Sequence, residues 1–257
     1  MKFGQIVKLT KPELVVSNRH EAWLARNSNP EYSMKAIEFG RKALFDQGSP
    51  RDRTGTYSAS SLNSCVRRQQ LTFIGMPQSW DNTKMNSIFH NGTFMHIRWQ
   101  MAGLTEGWMK AAEVPIGHNH MRLSGTQDGV AYNDYVVELK SINTFGFSSV
   151  NTFGPKEGHI EQVGTYVAAT GAPGAVILYE DKNTQEYREF TYTRAELPIT
   201  EIEQRAERLW EMTENQQLAE PLDKCIAGEG MQYQLCQYRD QCLAIRGWEH
   251  AEEMKNK

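Results

Sequence analysis

No stretch of the 257-residue chain approaches the ~18 consecutive apolar residues that a membrane-crossing helix needs, so no transmembrane segment is expected. The N-terminal stretch MKFGQIVKLTKPELVV lacks a long apolar core and a small-residue cleavage site. A secretory leader is therefore not expected, and a cytoplasmic protein is. An excess of positive charge is also missing: 28 Lys and Arg face 31 Asp and Glu, a net charge of −3. That excludes a basic field over the whole surface, so any nucleic acid must be held in a local groove. Cysteine is scarce, with four residues at 65, 225, 236 and 242. In a reducing compartment these are either small core hydrophobes or ligands of a metal or cluster site. Otherwise the composition is that of a globular protein, 39% hydrophobic and 23% charged, long enough for one large domain or two small ones.

The chemistry concentrates in Leu123–Ile142, LSGTQDGVAYNDYVVELKSI. Val130–Tyr132 and Tyr135–Leu139 read as two strands, joined by a hairpin turn at Asn133-Asp134. Residues two apart on a strand share a face, so Glu138 and Lys140 point one way and Val137 and Leu139 the other. Asp128 is expected just ahead of the first strand, where the chain folds back toward Glu138. Two carboxylates so placed hold a hard divalent cation through oxygen. A neighbouring lysine orients or deprotonates a water, or stabilises charge on a phosphate. Taken alone, the same alternation also describes any half-solvated strand.

Upstream, His20–Leu24 and Met34–Phe45 read as helices of an N-terminal extension. Ile37, Ala43 and Leu44 form a partial apolar face, and Gln47-Gly48-Ser49-Pro50 closes the second helix. His20 reads as solvated, and no chemistry is evident before residue 57. A helix capped by Ser58 or Ser60 then carries Leu62, Cys65 and Val66 on one face. Arg67 and Arg68 beside it are solvated charges or phosphate contacts. A longer helix over 84–104 buries Phe94, Ile97, Met101 and Leu104, with Gly92 and His96 on another face. His96 is a structural histidine unless it faces Asp128 and Glu138, where it makes a third metal ligand. A hairpin is expected over 111–125, with His118 and His120 in its turn.

Downstream, residues 143–158 read as a loop punctuated by Gly, Ser and Pro. Its Phe145, Phe147, Phe153 and Lys156 either clamp single-stranded bases or tuck their rings into the core. A helix over 159–170 buries Ile160, Val163 and Val167 and sets Gln162 and Tyr166 four apart. Strands at 175–179 and 186–193 precede a helix over 199–217, whose inner face is Ile202, Ala206, Leu209 and Thr213. The charged tail 249–257 is expected to fray.

In this order the motifs resemble the RecB-like branch of the PD-(D/E)xK nucleases, in the subgroup with an iron–sulfur cluster. That subgroup includes AddB-type nuclease domains and CRISPR-associated exonucleases. Gly92-x-x-x-His96, Gly125-x-x-Asp128, Glu138-x-Lys140 and Gln162-x-x-x-Tyr166 resemble its successive motifs, and one cysteine precedes them while three follow. The resemblance spans residues 58–242. It implies an α/β fold: a restriction-endonuclease-like core with a central mixed sheet flanked by helices. The implied organisation is an N-terminal helical extension (1–56), a nuclease domain stapled by its cluster (57–248) and a charged tail (249–257). The implied activity is a metal-dependent DNA exonuclease that prefers single-stranded ends. Asp128, Glu138, Lys140, Gln162 and Tyr166 are then catalytic. Mg²⁺ or Mn²⁺ is held by His96, Asp128, Glu138 and the carbonyl of Leu139. A structural [4Fe–4S] cluster is held by Cys65, Cys225, Cys236 and Cys242, with zinc as the alternative. The family often has Cys-x-x-Cys before its last cysteine pair. Here ten residues separate Cys225 from Cys236, which puts Cys225 in doubt. Arg67, Arg68, Phe145, Phe147, Phe153 and Lys156 are the candidate DNA contacts. A recombination or CRISPR-adaptation partner and a phage setting also suit the resemblance. Two other readings stay open: an accessory of the same fold that processes DNA only with partners, and a non-cutting iron–sulfur module. Intact His96, Asp128, Glu138 and Lys140 count against the second.

Overall fold

Strand-forming residues with no polar interruption, Ala175-Val176-Ile177-Leu178-Tyr179, mark the centre of the molecule, because a strand buried on both faces needs apolar side chains in both directions. In the computed structural model, which describes residues 14–26, 31–45, 53–79, 83–118 and 120–255, this stretch is part of a six-stranded mixed sheet. The elements run α1 (Ser17–Arg26), α2 (Met34–Phe45), β1 (Tyr57–Ser58), α3 (Val66–Ile74), α4 (Thr83–Glu106), β2 (Met109–His118), β3 (Leu123–Ala131) and β4 (Val136–Ile142). They continue as α5 (Thr144–Phe153), α6 (Glu157–Thr170), β5 (Gly174–Asp181), β6 (Tyr187–Thr193), α7 (Ile199–Glu214), α8 (Asp223–Ile226), α9 (Gly230–Gln234), α10 (Arg239–Cys242) and α11 (Trp248–Lys255).

The sheet forks. One edge of β3 carries β2, antiparallel, from Met109 opposite Ala131 to His118 opposite Leu123. Its other edge is divided. The short β1 pairs in parallel with Leu123 and Ser124, and β4 pairs antiparallel only with Gly129 and Val130. Residues 125–128 therefore have no strand partner on that side. Beyond the fork β4 runs parallel to β5 over its whole length, and β6 closes the sheet antiparallel to β5.

Alternation along β4 and β5 divides the interior. Val136, Ala175, Ile177 and Tyr179 face α6 and α7, together with Val163, Tyr166, Ile202 and Leu209. Val137, Leu139, Val176 and Leu178 face Trp99 and Leu104 of α4 and Val16 and Ala36 from the N-terminal segments. A third cluster joins Leu71 and Ile74 of α3 to Tyr238, Ile245, Trp248 and Ala251. Val15, Val16, Trp23 and Ala36 are thus built into the core. The backbone N–H groups of Val15 and Ser17 donate to the buried Glu189 carboxylate of β6, both at 2.7 Å, which anchors the start of α1.

Several expectations need correction. His20 is 3% exposed and packs on Trp23, Trp99 and Tyr187, so it is a core residue. On α2 the buried positions are Ala36 and Gly40, while Ile37 and Leu44 are exposed, because only small residues let this helix approach α4 closely. On α4 Ile97 and Leu104 are buried as expected but Phe94 is exposed, and Met95, Trp99 and Ala102 take the remaining core positions. The chain over 59–61 makes a single 3-10 turn, and α3 starts only at Val66 with Cys65 as its N-cap. The two strands around Asp128 are longer than expected, and Asp128 lies inside β3. Residues 144–153 are helical: Asn143 caps the helix by accepting the N–H of Gly146, and Phe147 and Val150 give it a buried side. Of the charged tail, residues 249–255 are helical in α11, held by Trp248 and Ala251 against α3. The inner face of α7 and the helix over 157–170 agree with expectation. The turn at 47–50, the N-terminal 13 residues and the side chain of His118 lie outside the described residues, and His120 is an exposed turn residue.

Candidate active site

The fork supplies the site. Continued by one rung, the β3–β4 pairing would set residue 128 opposite residue 138. The Asp128 carboxylate takes that rung instead, with Oδ2 accepting the Leu139 N–H at 2.7 Å. Oδ1 lies 3.3 Å from Nδ1 of His96, which α4 brings over the opening. Glu138 and Lys140 project together on the α6 side, as the period of two requires, with Lys140 Nζ 2.5 Å from Glu138 Oε1. Gln162 of α6 binds both, donating to Glu138 Oε1 at 2.7 Å and accepting from Lys140 Nζ at 2.9 Å. It also donates to the hydroxyl of Tyr166 at 3.0 Å. Residues from four sequence motifs therefore meet around one cleft of about 1000 Å³, lined also by Leu139.

Glu113, which the sequence did not suggest, belongs to the same group. It lies on β2, where Ala112 pairs with Gly129 and Val114 with Gln127, so it faces Asp128 across the ladder. One ligand atom each from His96, Glu113 and Asp128 lies within 4.8 Å of the others. Its backbone φ of 50° is one that side-chain-bearing residues seldom adopt, and such strain gathers at functional sites. Gln100 of α4 ties the group together, donating from Nε2 to Glu113 Oε1 and to the Asp128 carbonyl, both at 2.8 Å. Only the observed register shows this relation. Counting back across the hairpin from His118 opposite Leu123 places residue 113 opposite 128.

The electrostatics suit a cation. Burial pushes the Glu138 carboxyl up to about 7, Lys140 works against the shift and Asp128 adds to it. Burial also disfavours charge on Asp128, but His96, the Leu139 N–H and Lys140 outweigh it and hold the carboxyl below its usual range. Burial likewise opposes protonation of His96, yet the Asp128 and Glu138 carboxylates raise its pKa. Glu138 Oε2 is buried with no hydrogen-bond partner. A buried acceptor of that kind is costly unless a cation or its water meets it. The donor set of carboxylates plus imidazole fits a divalent metal with oxygen and nitrogen ligands.

The cysteines form a separate place. Cys65, Cys225, Cys236 and Cys242 all line one small cavity, closed by Leu71, Pro221, Leu222 and Tyr238. Burial raises the Cys225 thiol, and the neighbouring Cys65 and Cys236 raise it further. Among the described residues no three of these sulfurs lie within 4.8 Å of one another. A tetrahedral zinc–thiolate site, with Zn–S bonds of ~2.3 Å, would bring them to about 3.8 Å. Arg67 stands behind Cys242 and is 3% exposed. Its guanidinium donates to the carbonyls of Ala219, Cys242 and Ile245 at 2.6, 3.0 and 2.6 Å, so it is spent on the backbone and turned away from any phosphate. Arg68 donates to Gln237 Oε1 at 2.9 Å. Phe147 is buried, whereas Phe145 and Phe153 are 85% and 83% exposed on α5, and Lys156 is exposed at the N-cap of α6. None of these residues lines the cleft.

No family model matches the chain, and no curated protein matches it closely enough to count as a relative. Among solved structures, it is similar to LHK-Exo in complex with dAMP, with a TM-score of 0.52 and 21% identity over 63% of this chain and 90% of that one. A second structure of that protein, described as an alkaline exonuclease from Laribacter hongkongensis, gives a TM-score of 0.47 at 20% identity over the same shares. A protein called SSO0001 gives 0.45 at 16% identity, over 82% of this chain and 97% of that one. No helix among the described residues is long and apolar enough to cross a membrane. A mixed sheet flanked by helices, forked at Asp128 and superimposable on LHK-Exo, gives this chain the restriction-endonuclease-like nuclease fold.

Proposed function

We propose that the protein is a divalent-metal-dependent deoxyribonuclease that removes nucleotides from DNA ends and prefers a single strand. The observation that carries this reading is the Asp128–Glu138–Lys140 group at the fork, joined through Gln162 and facing His96 and Glu113. The likeness to LHK-Exo, whose description names an exonuclease and whose structure holds dAMP, supports it.

His96, Glu113, Asp128 and Glu138 would hold Mg²⁺ or Mn²⁺. The Leu139 N–H already faces Asp128, and a strand residue turns its carbonyl to the same edge, so that carbonyl would be available as a further ligand. When bound, the cation supplies positive charge to a phosphodiester oxygen and makes an attacking water more acidic. Lys140 holds a proton and a positive charge next to the phosphate, where charge grows in the transition state. Gln162 fixes Lys140 and Glu138 relative to each other through the two ends of one amide. Burial keeps the Tyr166 phenol protonated, so it accepts from Gln162 and keeps its own O–H to donate.

We assign the four cysteines to a [4Fe–4S] cluster with a structural role. Their common cavity supports this reading, with zinc as the alternative. Cys225 shares that cavity despite its unusual spacing. Of the proposed DNA contacts, Phe145, Phe153 and Lys156 remain as exposed candidates, with Arg68 at the edge of the cysteine cavity.

Anaerobic digestion of end-labelled linear and circular DNA, single- and double-stranded, tests the activity. Loss of linear DNA alone, fastest for the single strand, is the expected result. Cutting of circles would replace the exonuclease by an endonuclease. Tight binding without cutting in either metal would favour the accessory reading.

A further inference from the structure

One wall of the cleft has no part in the chemistry above. Its floor is acidic, with Glu113, Asp128 and Glu138, while α2 and the N-terminal half of α4 build its side from Phe39, Lys42, Ile88 and Phe89. The close docking of α2 sets this wall. Gly40 packs so tightly on α4 that an added Cβ would lie 2.6 Å from Met101 Sδ. With Ala36 and Gly40 turned inward, Phe39 and Lys42 border the cleft. Ile88 and Phe89 stay 41% and 51% exposed beside it, an apolar surface that water wets at a cost. Lys182 lines the cleft as well.

Cations and aromatic rings on the rim above a carboxylate floor complement a chain of phosphates and bases. The floor would hold a cation against one phosphate, and Lys42 and Lys182 line the same cleft where neighbouring phosphates would lie. We propose that Phe39, Lys42 and Phe89 form the binding wall for an unpaired DNA strand end, with bases stacked on Phe89 and adjacent phosphates on Lys42 and Lys182. The proposal rests on the nuclease reading for its substrate and adds the residues that select a single strand. A cleft of about 1000 Å³ has room for a few nucleotides of one strand. It also gives the N-terminal segment, where the sequence showed no chemistry, a direct part in substrate binding.

The test measures anisotropy of fluorescein-labelled oligothymidylate and of a duplex of equal length, with Mg²⁺, in a Lys140→Ala background that does not cut. Phe89→Ala should weaken single-strand binding about tenfold by loss of base stacking. Lys42→Glu should weaken it at least as much and lower the slope of log K against log salt by about one. Lys255→Glu, on exposed surface of α11, should change neither, and circular dichroism checks the fold of each variant. Unchanged binding by both wall variants, or duplex bound as tightly as the single strand, overturns the proposal. Absence of cleavage by the unsubstituted protein overturns the nuclease reading instead, and the wall is still judged by the binding data.

Discussion

The carboxylate of Asp128 accepts the backbone N–H of Leu139 at 2.7 Å, in the rung where the β3–β4 ladder stops. One side chain thereby ends the strand pairing and opens the space in which the candidate metal ligands meet. The hydrogen bond also fixes which oxygen of Asp128 is left for His96 and a cation.

Glu113 follows from this geometry as a candidate ligand facing Asp128 across β2 and β3. Glu113→Gln should weaken Mn²⁺ binding, followed by calorimetry, by about tenfold or more, the scale on which changes around a metal site act. The fold should survive, because Gln100 still donates to the new amide oxygen. Unchanged Mn²⁺ affinity would remove Glu113 from the site.

Gln162 bonds Lys140, Glu138 and Tyr166, and its proposed role is to position them rather than to bind metal. Gln162→Leu should lower kcat by up to about a hundredfold, because misplacing reacting groups by ~1 Å costs that much. Mn²⁺ affinity should barely move. An equal fall in metal affinity would instead make the amide part of the metal shell.

The C-terminal segment is held to α3 by Arg67 and the cysteine cavity. Arg67→Met orphans the carbonyls of Ala219, Cys242 and Ile245 and should cost about 3 kcal/mol or more in urea unfolding. Arg67→Lys should recover little, since an ammonium lacks the planar fork. Cys236→Ala should lose visible absorption and stability while activity per folded molecule persists. A Cys236→Ala protein that stays folded and coloured contradicts the cluster assignment.

Burial lowers the pKa of His20 from 6.5 to about 4, with Arg98 adding to the effect. The unfolded chain therefore binds the extra proton between those values. This contribution to stability is complete above pH 6.5 and is lost as pH falls toward 4. The loss is on the order of 3 kcal/mol, at ~1.4 kcal/mol per pKa unit. His20→Phe should flatten that acid limb in thermal melts and leave stability at pH 8 nearly unchanged. An unaltered limb would assign acid sensitivity to other groups.

The arrangement of the candidate catalytic positions was legible because they lie where local period decides direction: Glu138 and Lys140 two apart on a strand, Gln162 and Tyr166 four apart on a helix. Glu113 was not, because its partner is set by a hairpin register across residues that carry no strong turn signal. The same limit applies to His20, Phe94 and Ile37, whose environments depend on how α1 and α2 dock on α4. Residues 144–153 looked like a loop because Gly146 and several Ser and Asn residues are poor helix formers. Capping by Asn143 and burial of Phe147 and Val150 override that preference.

The proposed activity requires both a bound cation and Lys140 at the fork. The most direct measurement is single-turnover cleavage of an end-labelled single strand by the unsubstituted protein and by Lys140→Ala, in Mn²⁺ and in chelator. Rapid cleavage that needs Mn²⁺ and falls about a hundredfold or more in Lys140→Ala, with metal affinity retained, is the predicted result. Cleavage that persists in chelator, or is unchanged in Lys140→Ala, would place the chemistry elsewhere and contradict the account.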